Sequence, residues 1–347
     1  MDWRSSEENN MTPWQNKVFV IAEAGVNHNG NLDVAHKLID AAVIAGCDAV
    51  KFQTFRADAL VTRTAQMASY QKENTGLEEG QWEMLKRLEL SHEAHHVLKE
   101  HAREKGIVFF STAFDFESID FLVKLDIPVW KIPSGEITNY PYLTRIGALK
   151  KPTILSTGMA TIGEVEAAAR VLMDHGLERS QLSILHCNTE YPTPLQDVNL
   201  RAMVNLGHAL GTAYGYSDHT AGIEIPVAAT ALGACVIEKH FTLDRNMPGP
   251  DHKASLEPDE LAAMTCGIRA VETALGDGIK QPTTSEIKNR LPARKSIVAA
   301  RAIRAGEIYD ETNVTVKRPG DGISAMEWPR IIGRAAPRDF PAEEPIS

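Results

Sequence analysis

The sequence predicts an α/β chain built on a (β/α)8 barrel with a small second module behind it. Three observations carry this. Short β-branched or aromatic runs alternate with longer helical patterns from residue 18 to residue 275, the alternation repeats eight times, and it breaks at Gly276-Asp-Gly278. The chain has 347 residues, 43% hydrophobic and 24% charged, which excludes disordered, collagen-like and disulfide-stapled classes.

The strands are expected at VFVIAE (18–23), AVKFQ (49–53), IVFFST (107–112), VWKI (129–132), TILST (153–157), LSILHC (182–187), TAYGY (212–216) and CVIEKHF (235–241). Helical patterns fall between and after them at 33–45, 91–105, 117–125, 140–149, 162–175, 200–206, 223–232 and 258–275. The competing fold, an open doubly wound sheet, usually carries a glycine-rich nucleotide loop after its first strand. Here Gly25-Val-Asn-His-Asn-Gly30 is neither G-x-G-x-x-G nor a Walker A loop. Residues 1–17 are polar, without the apolar core of an export signal, and read as a loose extension. The barrel is expected over 18–276 and a linker over 277–293, where Pro282 and Pro292 discourage helix. A module at 294–347 mixes short strands with glycine turns.

Charge and cysteine usage exclude other classes. Thirty-six basic against forty-six acidic residues give a net charge of -10 with no dense basic run, so no nucleic-acid partner is expected. The longest uncharged apolar stretch, 225–237, is too short to span a bilayer as a helix, so no membrane partner is expected either. Cys47, Cys187, Cys235 and Cys266 form no C-x-x-C pair, which suits reduced thiols and a cytoplasmic location.

In a parallel barrel the functional groups sit where strands end. These ends are polar: Glu23; Lys51 and Gln53; Ser111 and Thr112; Lys131, Ser134 and Glu136; Ser156; His186 to Tyr191; Ser217 to His219; and Glu238 to His240. Two ammonium groups among hydroxyls make a cradle for phosphate or carboxylate, which supplies local cations in an anionic protein. The blander reading pairs Lys51 with Glu23 and Lys131 with Glu136 as structural ion pairs. His219 and His240 end adjacent strands, an arrangement suited to an open divalent-metal site completed by water and substrate, as for manganese. Glu238 shares a strand face with His240 and can act as a base or simply pair with a barrel lysine. His28, His36, His92, His95, His96, His101, His175 and His208 are read as structural or surface residues.

These motifs resemble the sialic acid synthases, including the legionaminic acid and related nonulosonate synthases. The resemblance rests on IAEAGVNHNG (21–30), KFQ (51–53), KIPSGE (131–136), LSTGM (155–159), LHC..EYPTP (185–194), YSDHT (216–220), EKHFT (238–242), PGPDH (248–252) and VKRPGDG (316–322), which span nearly the whole chain in order. It implies a TIM barrel followed by an antifreeze-like (SAF) domain that serves the partner's active site in a domain-swapped homodimer. The implied reaction condenses phosphoenolpyruvate with the open-chain aldehyde of an N-acylated mannosamine-type sugar and releases phosphate. N-acetylneuraminate synthesis is the first expectation, and legionaminic acid synthesis from 2,4-diacetamido-2,4,6-trideoxymannose the alternative. More distant alternatives are another phosphoenolpyruvate-dependent 3-deoxy sugar-acid synthase, a metal aldolase, or a scaffold with an ice-binding module.

By motif, Lys51, Thr112, Lys131, Ser134 and Ser156 resemble phosphoenolpyruvate ligands. His219 and His240 resemble ligands for a divalent metal, Mn2+ first, with Mg2+ and Co2+ as alternatives. Glu23 and Glu238 resemble the proton-handling groups, Gln53, Tyr191 and Asp251 resemble sugar contacts, and Glu136 suits either substrate. Arg318 resembles an arginine that meets the acylamino group in the neighbouring subunit. Some relatives carry Asn where this chain has Thr189, with Asn188 one place earlier. The segment 66–90 and DHKASLEP (251–258) resemble the legionaminic and N-acetylneuraminate branches more than the pseudaminic one.

Overall fold

The computed structural model describes residues 12–76 and 79–347, which fall into two compact units dividing after Gly276. Eight strands build the first unit: β1 (Phe19–Gly25), β2 (Ala49–Thr54), β3 (Val108–Ala113), β4 (Trp130–Ile132), β5 (Thr153–Ser156), β6 (Leu182–Cys187), β7 (Ala213–Asp218) and β8 (Val236–His240). They are hydrogen-bonded in the order β3-β2-β1-β8-β7-β6-β5-β4, every pairing parallel. β3 and the three-residue β4 pack side by side without a ladder, so the ring has a seam there. Nearly every strand residue is buried, as both faces of a parallel sheet are covered.

The barrel helices are α1 (Leu32–Ile44), α5 (His92–Lys105), α6 (Phe116–Leu125), α7 (Tyr140–Gly147), α8 (Ile162–Asp174), α9 (Leu200–Leu210), α10 (Glu224–Ala231) and α11 (Pro258–Leu275). Several of their starts follow from capping chemistry. Asn31 accepts from the backbone of Asp33 and Val34, Ser91 from Ala94, and Thr161 forms a reciprocal box with Glu164.

Three further helices, unexpected from sequence, lie between β2 and α5: α2 (Ala57–Leu60), α3 (Ser69–Thr75) and α4 (Gln81–Leu88). They are short, and no N-cap side chain of theirs accepts a hydrogen bond, so no cap marks them. With Val26, Phe55 and Phe114 they enclose a small apolar cluster of their own, centred on Met67, Met84 and Leu88.

Two expectations need correction. The extension is not loose throughout: Thr12 and Trp14 are buried, and Trp14 joins the main core beside Thr212, Tyr214 and Cys235. An indole at the barrel base removes apolar surface from water, which outweighs the polar composition around it. Its first eleven residues lie outside the described residues. The proline-bearing linker contains two single helical turns, α12 (Thr284–Ile287) and α13 (Arg290–Ala293). Pro292 falls in the first turn of α13, where a missing N–H costs nothing, and Thr283 boxes with Glu286.

The second unit pairs β9 (Ser296–Ala299) antiparallel with β10 (Val314–Lys317) over a core of Ile297, Ile303, Tyr309, Val314 and Phe340. Among the described residues, no helix is long and apolar enough to cross a membrane.

Candidate active site

Period-two alternation decides which side chains enter the barrel mouth. On β2 it turns Lys51 and Gln53 inward, and on β8 Glu238 and His240. Register then sets the neighbours: Glu23 stands opposite Lys51 on one side and His240 on the other, Gln53 opposite Thr112, and Ser217 opposite Glu238. Thirteen of the fourteen expected site residues line one cavity of about 360 Å3: Glu23, Lys51, Gln53, Thr112, Lys131, Ser134, Glu136, Ser156, Tyr191, His219, Glu238, His240 and Asp251. Arg318 lies in the second unit, just after β10, exposed, before a cis Arg318–Pro319 bond.

Four ionisable groups alternate in sign at the floor. Lys51 Nζ is 2.7 Å from Glu23 Oε2 and 3.7 Å from Glu238 Oε2, and Lys131 Nζ is 2.9 Å from Glu238 Oε1. None of these side chains is more than 4% exposed. The structure thus pairs Lys131 with Glu238 rather than Glu136, whose carboxylate instead accepts from Asn139 Nδ2 at 2.6 Å. Closure of the ring carries β4 across to face β8, whereas Glu136 leaves the strand on a 3-10 turn. Ser217 Oγ donates to Glu238 at 3.0 Å, Gln53 Nε2 to Glu23 at 3.2 Å, and Lys51 to Thr112 Oγ1 at 3.1 Å. Burial raises the Glu23 carboxyl above its ordinary range despite Lys51. Burial acts the same way on Glu238, but Lys131 and Lys51 outweigh it and hold that carboxyl low.

Opposite the two carboxylates sit hydroxyls. Ser156 Oγ is buried and without a hydrogen-bond partner, an orphan polar atom at the cavity wall. Ser134 closes against Gly158, which has φ +48°; a Cβ there would come within 2.5 Å of Ser134 Cβ. Only glycine lets the two loops meet so closely.

His219 and His240 face each other with ring centroids 5.5 Å apart. Tyr191 stacks on His219 at 4.0 Å and meets His240 edge-on at 5.6 Å. His219 Nδ1 donates to the Asn188 carbonyl, so its Nε2 is the free nitrogen, and His240 Nδ1 is buried without a partner. Burial pushes His219 down to about 4 and His240 well below the usual imidazole range, keeping both rings neutral. Neutral rings with unspent nitrogens fit a divalent cation with two protein ligands. Among the described residues, no three His, Cys, Asp or Glu groups converge as a closed metal site, so water and substrate oxygens would complete the shell. Asp251 is buried at the rim and pushed up to about 6 by burial.

Several strand-end residues take parts that the sequence does not assign. Asn188 acts through its carbonyl, Ser217 through Glu238, and Cys187 lines the cavity while its Sγ accepts from Gly158 N at 3.1 Å. Behind the two histidines, Asp218 and Lys239 form an ion pair at 0% exposure, and Asp218 also accepts from Thr220 N. The strand period, which turns these residues away from the mouth, was the available signal. Residues of α2 and α4 form one flank of the cavity.

Outside the β2 and β3 ends, His95 is fully buried: Nδ1 donates to Ser91 O at 2.9 Å and Nε2 accepts from Thr54 Oγ1 at 2.8 Å, which in turn meets Ser111 Oγ at 2.7 Å. Burial pushes its pKa down to about 4. Below pH 6.5 the unfolded imidazole binds a proton that the folded one refuses until about pH 4, so acid favours unfolding. Between pH 6.5 and 5.5 the wild type should lose about 1 kcal/mol more than His95→Gln. Urea titrations at the two pH values measure this, and equal losses would contradict a buried neutral ring.

Paired lysines and carboxylates with two neutral histidines on the C-terminal rim of a parallel barrel define a barrel enzyme for anionic substrates. A model of the NeuB family matches residues 38–280 and one of the SAF domain matches 294–347. The chain belongs to the NeuB family. It is 52% identical over 330 residues to the N,N'-diacetyllegionaminic acid synthase of Campylobacter jejuni subsp. jejuni serotype O:2, covering 95% of this chain and 99% of that one. It is 49% identical over 317 residues to the enzyme of the same name from Legionella pneumophila, covering 91% and 89%. A crystal structure of N-acetylneuraminic acid (sialic acid) synthetase from Leptospira borgpetersenii serovar Hardjo-bovis, in complex with citrate, aligns with a TM-score of 0.69 at 35% identity, covering 79% of this chain and 90% of that chain. The protein is a phosphoenolpyruvate-dependent, carbon–carbon bond-forming transferase.

Proposed function

We propose that the chain condenses phosphoenolpyruvate with 2,4-diacetamido-2,4,6-trideoxymannose and water to give N,N'-diacetyllegionaminic acid and phosphate. The reaction class is supported by the cavity floor, where two lysines, three hydroxyls and two neutral histidines converge. The sugar rests on one observation, the 52% identity over nearly the full length of a synthase bearing that product's name. That similarity moves N-acetylneuraminate synthesis, the first expectation from sequence, into second place.

In this reading Lys51 and Lys131, with Thr112, Ser134 and Ser156, hold the phosphate and carboxylate of phosphoenolpyruvate. Gln53, Tyr191 and Asp251 orient the sugar, with Glu136 within reach of either substrate. C3 of phosphoenolpyruvate attacks C1 of the aldehyde, water adds at C2, and the tetrahedral hemiketal phosphate collapses with C–O cleavage. Glu23 and Glu238 are placed to move protons at the aldehyde oxygen and the attacking water. His219 and His240 would hold a divalent cation, Mn2+ first, which supplies Lewis-acid polarisation of the aldehyde oxygen.

Comparing kcat/KM for the diacetamido sugar and N-acetylmannosamine at saturating phosphoenolpyruvate tests the assignment. A preference for the diacetamido sugar of about tenfold or more is expected; the reverse preference overturns it.

The homodimer is part of the same proposal, with Arg318 serving the partner chain's sugar. Mixing an Arg318→Ala chain with a His240→Ala chain should then regenerate activity that neither has alone. Absence of any regain in refolded mixtures would sink the exchange.

A further inference from the structure

The cavity is two-sided, and one side does no chemistry. Its floor carries the paired lysines and carboxylates, while the flank over β1, β2 and β3 is mostly apolar: Phe55, Leu60, Val61, Met84, Leu85 and Leu88 line it, with Gln71 and Gln81 at its edge. The segment 66–90, which resembles the legionaminic and N-acetylneuraminate branches more than the pseudaminic one, supplies half of these apolar residues. On α4 the period explains the placement. Met84 and Leu88 are buried in the small cluster beside the cavity, while Gln81 and Leu85, one turn apart, remain half-buried at the cavity edge. Leu60 and Val61, also half-buried, continue the surface from the end of α2.

This flank is held in place. Ala57 N donates to Glu89 Oε1 at 2.7 Å, Trp82 Nε1 to Asp58 Oδ1 at 3.0 Å, and Asn74 Nδ2 to the Pro250 carbonyl at 2.7 Å. Arg63 lies 3.5 Å over the Trp82 ring. The Leu60, Val61 and Leu85 side chains fixed in this way present no donor or acceptor, and the polar groups of this flank are the Gln71 and Gln81 amides at its edge.

If the lysines and histidines hold the reacting carbons at the floor, as in the reading above, a sugar extending toward α2 and α4 would bring its far end against this flank. A C6 hydroxyl set against Leu60, Val61 and Leu85 would lose water and gain no partner from them, whereas a C6 methyl would bury apolar area. We propose that the Leu60–Val61–Leu85 surface is the specificity element that selects a 6-deoxy sugar. The assignment rests on the diacetyllegionaminic reading above and adds to it the residues that read C6.

The test uses four sugars that vary C4 and C6 independently: N-acetylmannosamine, its 6-deoxy form, 2,4-diacetamido-2,4-dideoxymannose and 2,4-diacetamido-2,4,6-trideoxymannose. In the wild type, kcat/KM should favour the 6-deoxy member of each pair by about 10- to 100-fold, the range an apolar pocket achieves against an added hydroxyl. Val61→Thr keeps the volume and adds a hydroxyl, and Leu85→Gln offers an amide. Each should shrink the C6 ratio about fivefold or more, through KM for the sugar. Thermal melts and the KM for phosphoenolpyruvate report whether each variant keeps its fold and floor. A wild-type C6 ratio below about twofold, or one unmoved by both substitutions, overturns the proposal. The C4 ratio judges the diacetamido assignment separately: preference for the 4-hydroxy sugars would remove that reading while the C6 ratio still decides the role of the surface.

Discussion

Replacing Lys131 with methionine should lower kcat/KM by about 10²- to 10³-fold, the scale on which a preorganised donor at a reacting phosphate or oxyanion acts. The reason is visible in the four-group floor. Lys131 stands 2.9 Å from Glu238, and Lys51 must otherwise serve Glu23 at 2.7 Å and Glu238 at 3.7 Å alone. Removing one cation leaves two buried carboxylates with one partner, so folding should weaken by about 3–5 kcal/mol as well. A second substitution separates the two effects. Lys131→Met with Glu238→Gln removes both charges, restoring most of the stability because no unpaired charge is left buried, yet it cannot restore a cationic cradle. Urea unfolding together with phosphoenolpyruvate binding by calorimetry distinguishes them. Activity within about tenfold of wild type in Lys131→Met would remove Lys131 from the substrate site.

That pairing also shows where sequence reasoning reaches and where it stops. The barrel is legible because a parallel strand writes itself locally: VFVIAE and AVKFQ are buried on both faces, and the intervening helices carry their own caps. Placement of Lys51, Gln53, Glu238 and His240 is legible for the same reason, since a period of two fixes their face once the strand is known. Partners across the barrel are not. Glu136 is five residues from Lys131 and the obvious local choice, but Glu238 is 107 residues away and is found only when the ring closes. The seam between β3 and β4 is a property of that same closure. Trp14 and α2–α4 escape the sequence for a different reason: Trp14, α2 and α3 are held by tertiary packing with little local propensity to announce them, and α4, though rich in helix formers, is two turns long and starts without a side-chain cap. The flank proposed to read C6 lies in the part least readable from sequence, because its helices are short and only α4 carries a period, over two turns.

Removing one imidazole should have an effect as large as removing a lysine, with a different signature. His240→Ala is expected to lose Mn2+ binding, seen directly by electron paramagnetic resonance titration, and to lose about 10³-fold in kcat. Chelator-treated wild type should match it, and added Mn2+ should revive the wild type alone. The logic lies in the ring environments. His219 commits Nδ1 to the Asn188 carbonyl, while His240 keeps a buried Nδ1 with no partner, so the structure tolerates an orphan nitrogen that a ligand would satisfy. Tyr191 stacks on His219 and stands edge-on to His240, which fixes the ring planes in advance. If the imidazole were only a hydrogen-bonding strut, His240→Asn would keep an amide near that position and preserve both Mn2+ affinity and rate. Retention of Mn2+ affinity in His240→Ala would show that the ion sits elsewhere. Loss of rate with affinity intact would instead make His240 a substrate contact. The phosphoenolpyruvate KM should stay near wild type in His240→Ala, because Lys51, Lys131 and Ser156 remain in place, and this split separates the histidine pair from the cationic floor beneath it.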